Sequence, residues 1–202
     1  MKTRKSSPPM TFSDFRSGMG KCSILSCTKI KLEEHIRNIP DFPKPGILFR
    51  DITTLIKDKK AFKQVIDIIA AKYKNKKIDK VVAVEARGFI LGGAVAYKIG
   101  AGFVPVRKKG KLPYKVISAT YDLEYGTDTL EMHLDAIKAD DRVLIIDDLL
   151  ATGGTVKAVT GLVKQMRGKI IGIAFLVELV DLKGKEKLKG YPLYSLIKFR
   201  GE

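Results

Sequence analysis

Residues Val143 to Thr155 constrain this 202-residue chain more than any other stretch. The apolar run Val143-Leu144-Ile145-Ile146 ends in two adjacent carboxylates, Asp147 and Asp148. After Leu149 and Leu150 comes a small glycine-rich turn, Ala151-Thr152-Gly153-Gly154-Thr155, and then a helix-like stretch. A continuous apolar run reads as a strand of a parallel sheet buried on both faces, and ligands of such sheets bind beyond the strands' carboxyl ends. Gly153 and Gly154 let the backbone wrap an anion, and the free N–H groups at the start of the next helix point at it. Asp147 and Asp148 repel a phosphate. They suit ribose hydroxyls, as acceptors or through a divalent cation. Other phosphate loops fit less well: no lysine lies between Asp147 and Thr155, as a Walker loop requires, and a Gly-Gly pair is not the three-glycine dinucleotide fingerprint. The competing plain account is a strand–turn–helix in which Thr152 and Thr155 serve as N-caps.

The chain around this segment alternates strands and helices. Leu32 to Asn38 suggests a short helix, and Pro40, Pro43, Pro45 and Gly46 then enforce an extended, irregular path. Phe62, Val65, Ile66, Ile69 and Tyr73 recur at helical spacing across Ala61–Tyr73. A buried strand is expected at Lys80–Glu85, a closely packed helix at Gly88–Lys98 and a strand at Phe103–Val106. Val116–Leu134 reads as a hairpin around Gly126. Strand Arg142–Asp147, helix Thr155–Met166, strand Ile170–Val177, a short helix near Leu182–Leu188 and a strand at Leu193–Ile197 complete the chain. This order predicts an α/β fold, a doubly wound, mainly parallel sheet flanked by helices, with a β-hairpin lid.

Residues 1–29 form a separate zone and 30–202 the folded domain. The zone carries six cations against the single acid Asp14, several Ser and Thr, and no apolar core of a secretory signal. A disordered extension or an early start site (Met10 and Met19 are alternatives) is expected there. An organelle transit peptide shares the composition. Elsewhere no apolar run approaches the ~20 residues of a membrane helix. Cys22 and Cys27 make neither a disulfide framework nor a zinc set, since His35 and His133 are the only histidines and neither has a catalytic partner at useful spacing. Free thiols suit a reducing, cytoplasmic setting. The net charge of +16 can steer anionic substrates, but its lysines are scattered, so no specific nucleic-acid partner is expected.

Asp147 to Thr155 resembles the 5-phosphoribosyl 1-pyrophosphate (PRPP) motif of the phosphoribosyltransferases, and in particular of their adenine branch. Four further blocks agree in order: Ile39 to Gly46; Phe49 to Ile52; Glu85 to Phe89; and Arg107 to Pro113 with Tyr121 to Gly126. The resemblance spans about residues 31 to 199. It implies transfer of ribose 5-phosphate from PRPP to adenine, giving AMP and pyrophosphate. It assigns Asp147 and Asp148 to the ribose, and Ala151, Thr152, Gly153, Gly154 and Thr155 to the 5′-phosphate. Arg87, Arg107, Lys108 and Lys111 go to pyrophosphate, with Lys109 a spare charge. Leu48, Phe49, Arg50 and Leu179 go to adenine. Glu124, in the lid, is the implied general acid/base. Mg²⁺ is expected to arrive mainly on PRPP and pyrophosphate, with no dedicated protein metal site, and a homodimer is implied. Two alternatives stay open from sequence: a 6-oxopurine phosphoribosyltransferase, or a PRPP- or nucleotide-sensing regulator on the same fold. The blocks at Ile39–Ile52 and Tyr121–Gly126 speak against the first. The 29 residues of the N-terminal zone are too few for an appended DNA-binding domain, which speaks against the second.

Overall fold

The structure is a computed structural model and describes residues 30–122 and 127–201. A seven-stranded sheet forms its centre. Strands β3 (Lys80–Val84), β4 (Gly102–Lys108), β7 (Arg142–Leu150), β8 (Lys169–Leu179) and β9 (Leu193–Phe199) run parallel. The antiparallel pair β5 (Val116–Asp122) and β6 (Thr127–His133) extends the β4 edge, giving the order β5-β6-β4-β3-β7-β8-β9. Outside this sheet, β1 (Arg37–Ile39) and β2 (Phe49–Asp51) form a small antiparallel ribbon.

Helices cover both faces, as the alternation of buried side chains along the strands requires. Val81 and Leu144 face one layer. It holds Val65, Ile66 and Ile69 of α2 (Lys59–Tyr73) and Leu91 and Val95 of α3 (Arg87–Ile99). Val82 and Ile145 face the other, where α4 (Gly154–Gln165) contributes Val156, Val159, Leu162 and Val163. Burial of each such side chain is worth about 1.5–3 kcal/mol, so the helical stripe holds α4 on the sheet although no side chain caps its start. By contrast α2 is capped: the Asp58 carboxylate accepts the Lys60 and Ala61 N–H groups at 2.9 and 2.8 Å.

The expected strands and long helices are present, with several differences. Leu32–His35 is a single 3-10 turn, and Arg37–Ile39 is strand rather than helix. Pro40 disfavours helix in the residue before it, and pairing of Ile39 with Phe49 takes over. A one-and-a-half-turn helix, α1 (Thr53–Lys57), follows β2 and carries no long periodicity to reveal it. The segment Leu182–Leu188 is two 3-10 turns, Val180–Leu182 and Gly184–Leu188, broken at Lys183, where φ is +53°. Strand β7 runs through both aspartates to Leu150, because β8 pairs with it that far.

Two contacts hold the parts that frame the site. Helix α3 lies so close to β3 that a Cβ on Gly92 would sit 2.7 Å from the Ala83 Cβ and 3.1 Å from the Phe103 ring. In the ribbon, Asp51 pairs with Arg37 and accepts the Thr53 N–H at 2.8 Å. Hydrogen bonds from Thr53, then Arg37, bring the Asp51 carboxyl down from 3.8 to about 2. We expect Gly92→Val to destabilise the protein by about 1–3 kcal/mol in urea unfolding, through overpacking. The lowered Asp51 pKa implies stability that is complete above its unfolded value of about 3.9 and lost as pH falls toward about 2. Asp51→Asn should therefore melt at a lower temperature at pH 7 and show a shallower fall in melting temperature between those two pH values.

Candidate active site

The carboxyl ends of β3, β4, β7 and β8 meet along one edge of the sheet, and the motif residues gather there. Gly88, the second residue of α3, brings that helix start against β7: a Cβ there would lie 2.8 Å from Asp147 Oδ1. Asp147 and Asp148 are each 8% exposed. The Asp148 N–H donates to Asp147 Oδ1 at 2.9 Å. Arg87 Nε stands 2.6 Å from Asp148 Oδ2, an ion pair by distance although its N–H is not aligned to hydrogen-bond that oxygen. Burial, then the neighbouring Asp148 charge, pushes the Asp147 carboxyl well above its ordinary value. Negative charge on both carboxylates is thus costly in this dry place, and hydroxyl donors or a cation brought to the pair would relieve it.

Past Leu150 the chain turns sharply. Gly153 adopts φ +77° and is itself the N-cap of α4, so neither Thr152 nor Thr155 occupies that position. A glycine offers no side-chain acceptor, and the first N–H groups of α4 are left to an anion. Across a cleft of about 420 Å³, Ala119, Thr120 and Tyr121 of β5 face Gly154, Lys157 and Ala158 of α4, so the hairpin stands over the start of this helix.

The basic residues at the end of β4 and just beyond it are organised by acids. Glu85 accepts Arg107 Nε at 3.0 Å with one oxygen, and the Lys108 N–H at 2.7 Å and Lys111 Nζ at 3.1 Å with the other. Burial pushes the Glu85 carboxyl up, but the Lys108 N–H, Lys111 and Arg107 together bring it below its ordinary value. Lys108 Nζ reaches Asp128 of β6 at 2.9 Å, a bond that raises the lysine's pKa. The Gly110 N–H donates to the buried Glu131 at 2.8 Å.

Phe49 meets Phe42 edge-on, with ring centroids 5.1 Å apart, and the Arg87 guanidinium lies 5.4 Å from the centre of the Phe49 ring. One arginine thus stands between the aspartates and an aromatic side chain. Arg50 covers the Phe199 ring at 4.1 Å, and Phe199 pairs in register with Leu179, which is buried at the end of β8.

Residues 53–199 match the model of the phosphoribosyl transferase domain. An adenine phosphoribosyltransferase of Clostridium kluyveri is 58% identical over 170 residues, which are 84% of this chain and 99% of that relative. The crystal structure of the Thermoanaerobacter pseudethanolicus adenine phosphoribosyltransferase superposes with a TM-score of 0.81 at 53% identity, over 83% of this chain and 98% of that one. The Saccharomyces cerevisiae enzyme, complexed with D-2,5-dideoxy-2,5-imino-altritol 1,6-bisphosphate and adenine, gives 0.79 at 40% identity, over 82% and 96%. This chain belongs to the adenine phosphoribosyltransferase family.

The structure brings Arg87, Asp147, Asp148 and Phe49 together at one place, with the Ala151–Thr155 turn continuing from β7. Arg107, Lys108 and Lys111 share the Glu85 cluster. Leu48 is half-buried beside Phe49. Glu124 lies outside the described residues. Among the described residues no group of three or more His, Cys, Asp or Glu could hold a metal ion, and no helix is long and apolar enough to cross a membrane. Three acids had no role assigned from sequence: Glu85, Asp128 and Glu131. Glu85 carried a signal, since it follows the apolar β3 as Asp147 follows its own apolar run. Asp128 and Glu131 act through cross-strand geometry that spacing does not reveal.

Asp147 also makes a prediction for the protein without ligand. A carboxyl with a raised folded pKa adds stability only below its unfolded pKa of about 3.9, and that contribution is lost as pH rises through the folded value. Asp147→Asn should raise the melting temperature at pH 7 and flatten the loss of stability on going from acid to neutral pH, as read by scanning calorimetry.

Proposed function

We propose that this protein transfers the 5-phosphoribosyl group of PRPP to adenine, forming AMP and releasing pyrophosphate. The observation that carries this reading is the Arg87 position. Its guanidinium lies between the Asp147–Asp148 pair and the Phe49 ring, where a sugar would join a base. The yeast relative's complex with adenine and a bisphosphate imino-altritol, together with adenine relatives of more than half identical sequence, supports adenine over a 6-oxopurine.

In the reaction, the bond from the sugar's anomeric carbon to the pyrophosphate oxygen breaks, and the same carbon bonds N9 of adenine. The pyrophosphate leaves with the bonding electrons, and the N9 proton must go to a base. Arg87 and the Arg107–Lys111 cluster would hold the leaving group, with Glu85 and Asp128 giving up part of their hold on these cations. Asp147 and Asp148 would take the ribose hydroxyls and favour the positive charge that develops on the sugar. The Ala151–Thr155 turn and the α4 start would fix the 5′-phosphate. Phe49, with main-chain groups at Leu48 and Arg50, would stack on and read the base, and Leu179 would cover its other side. Glu124, the general acid/base that the family resemblance implies, would accept the proton. Mg²⁺ would neutralise pyrophosphate charge as the bond breaks. Asp147 and Asp148 fit it as two carboxylates without a third, so most of its oxygen ligands would come from substrate and water.

A homodimer and cytoplasmic residence belong to the same reading. Ile90 and the 91% exposed Tyr97, seven residues apart, stand on one outer face of α3, an apolar surface suited to a second copy.

Incubation with PRPP, Mg²⁺ and each purine base in turn should yield AMP and pyrophosphate from adenine alone. Absence of AMP under all conditions would overturn the assignment. Asp148→Asn should lower kcat by about 10²-fold or more while the circular dichroism spectrum stays unchanged. Wild-type turnover in that variant would remove the ribose role.

A further inference from the structure

Two glycine turns far apart in sequence interlock behind the candidate 5′-phosphate loop. A Cβ on Gly153 would lie 2.5 Å from the Gly184 carbonyl oxygen. A Cβ on Gly184 would lie 2.1 Å from the Ala151 carbonyl oxygen and 2.9 Å from Leu150 Cδ1. Both of the tightest contacts are with backbone atoms, which cannot rotate away as the tip of a flexible side chain can. The Gly184 φ is not in the left-handed region, so what this position requires is space.

Nor is the Gly184 turn free to retreat. Its last residue, Leu188, is fully buried in the cluster that also holds Leu150 and Val156, one residue from either side of the loop. Lys185 Nζ bonds Glu178 Oε1 at 2.8 Å, and Glu178 is buried in β8 directly opposite Leu150 of β7. The Lys183 carbonyl accepts the Glu186 N–H at 2.9 Å and closes the turn. The loop is therefore bounded on its inner side by a wall anchored in the core and tied to the neighbouring strand.

We infer that Gly184 is a positioning residue for the 5′-phosphate, setting the curvature of Ala151–Gly153 by backbone contact without touching substrate itself. This rests on the assignment of Ala151–Thr155 to the 5′-phosphate. An added methyl group must displace the Ala151 carbonyl, and with it the amides that follow. The Glu85 cluster that would hold pyrophosphate sits at the ends of β3 and β4, and among the described residues its hydrogen bonds and ion pairs run to Arg107, Lys108 and Lys111 rather than to this turn. The damage should thus fall on one end of PRPP.

The test is to titrate ribose 5-phosphate and pyrophosphate separately, each with Mg²⁺, by calorimetry into the full-length wild type and four variants. Gly184→Ala should weaken ribose 5-phosphate at least about tenfold and leave pyrophosphate within about twofold, with KM for PRPP rising more than KM for adenine. Gly161→Ala, a helical glycine with open space at its Cβ, should match wild type. Lys185→Ala loosens the turn without adding an atom. It should show the same selectivity to a smaller degree, and it carries the test should Gly184→Ala not fold. Equal losses for both ligands, or none, in both turn variants would overturn the inference. Thr152→Ala separates the two ideas. If it weakens ribose 5-phosphate while the turn variants do not, only the role of Gly184 fails. If it too is unchanged, the phosphate assignment fails, and this inference with it.

Discussion

Everything at the sheet edge depends on Asp147 and Asp148 standing together, buried, where the pairing of β7 with β3 has stopped at Ile146 and β8 alone runs alongside. A carboxylate in such a place is costly unless something answers its charge. The fold answers with the start of α3. Gly88 has no side chain, so the helix can press against Asp147, and Arg87, one residue earlier, is delivered to Asp148. The glycine and the arginine are adjacent because a single helix turn must provide both the clearance and the countercharge. Phe49 then lies within reach of the same guanidinium, which ties the small β1–β2 ribbon to the large sheet.

Further along the edge, cations outnumber any one acid, yet each of the four assigned to pyrophosphate has a carboxylate partner: Arg87 has Asp148, Arg107 and Lys111 share Glu85, and Lys108 has Asp128. These pairs keep long, flexible side chains in place at little net gain in stability, since most of the cations are at least one-third exposed. A pyrophosphate would compete with the protein's own acids for them. The surface is thus pre-organised, but not so strongly that an incoming anion could not win.

Much of this was legible in the sequence because the residues concerned are contiguous. The run Val143–Thr155 holds strand, carboxylates and phosphate turn in order, and the apolar periods of Ala61–Tyr73 and of β3 marked their elements within a residue or two. Failures came where a long-range contact decides. Arg37–Ile39 became strand through pairing with Phe49–Asp51, and β7 continued past Asp147 because β8 runs alongside it. Leu182–Leu188 broke into two turns at Lys183. Within the site, Glu85 could be suspected from its strand-end position, but Asp128 and Glu131 matter only through a register set by the hairpin. The importance of Gly184 depends on a contact with a loop some thirty residues earlier, which no local pattern records. The base-reading roles of Leu48 and Leu179, and the acid/base role of Glu124, rest on the family resemblance.

The strand order also dictates when the site can come into being. Its central pair joins segments far apart in the chain: the Asp79 carboxylate accepts the Arg142 N–H across 63 residues. A chain growing from its amino terminus completes β3 and β4 long before β7 exists to cover them. Until then it carries an apolar strand with an open edge, the kind of surface that invites pairing with other chains. Non-local closure of this sort is also slow. The aspartates that organise the site can therefore meet Gly88 and Arg87 only after some sixty intervening residues have been made, and none of the chemistry has a place to occur before then.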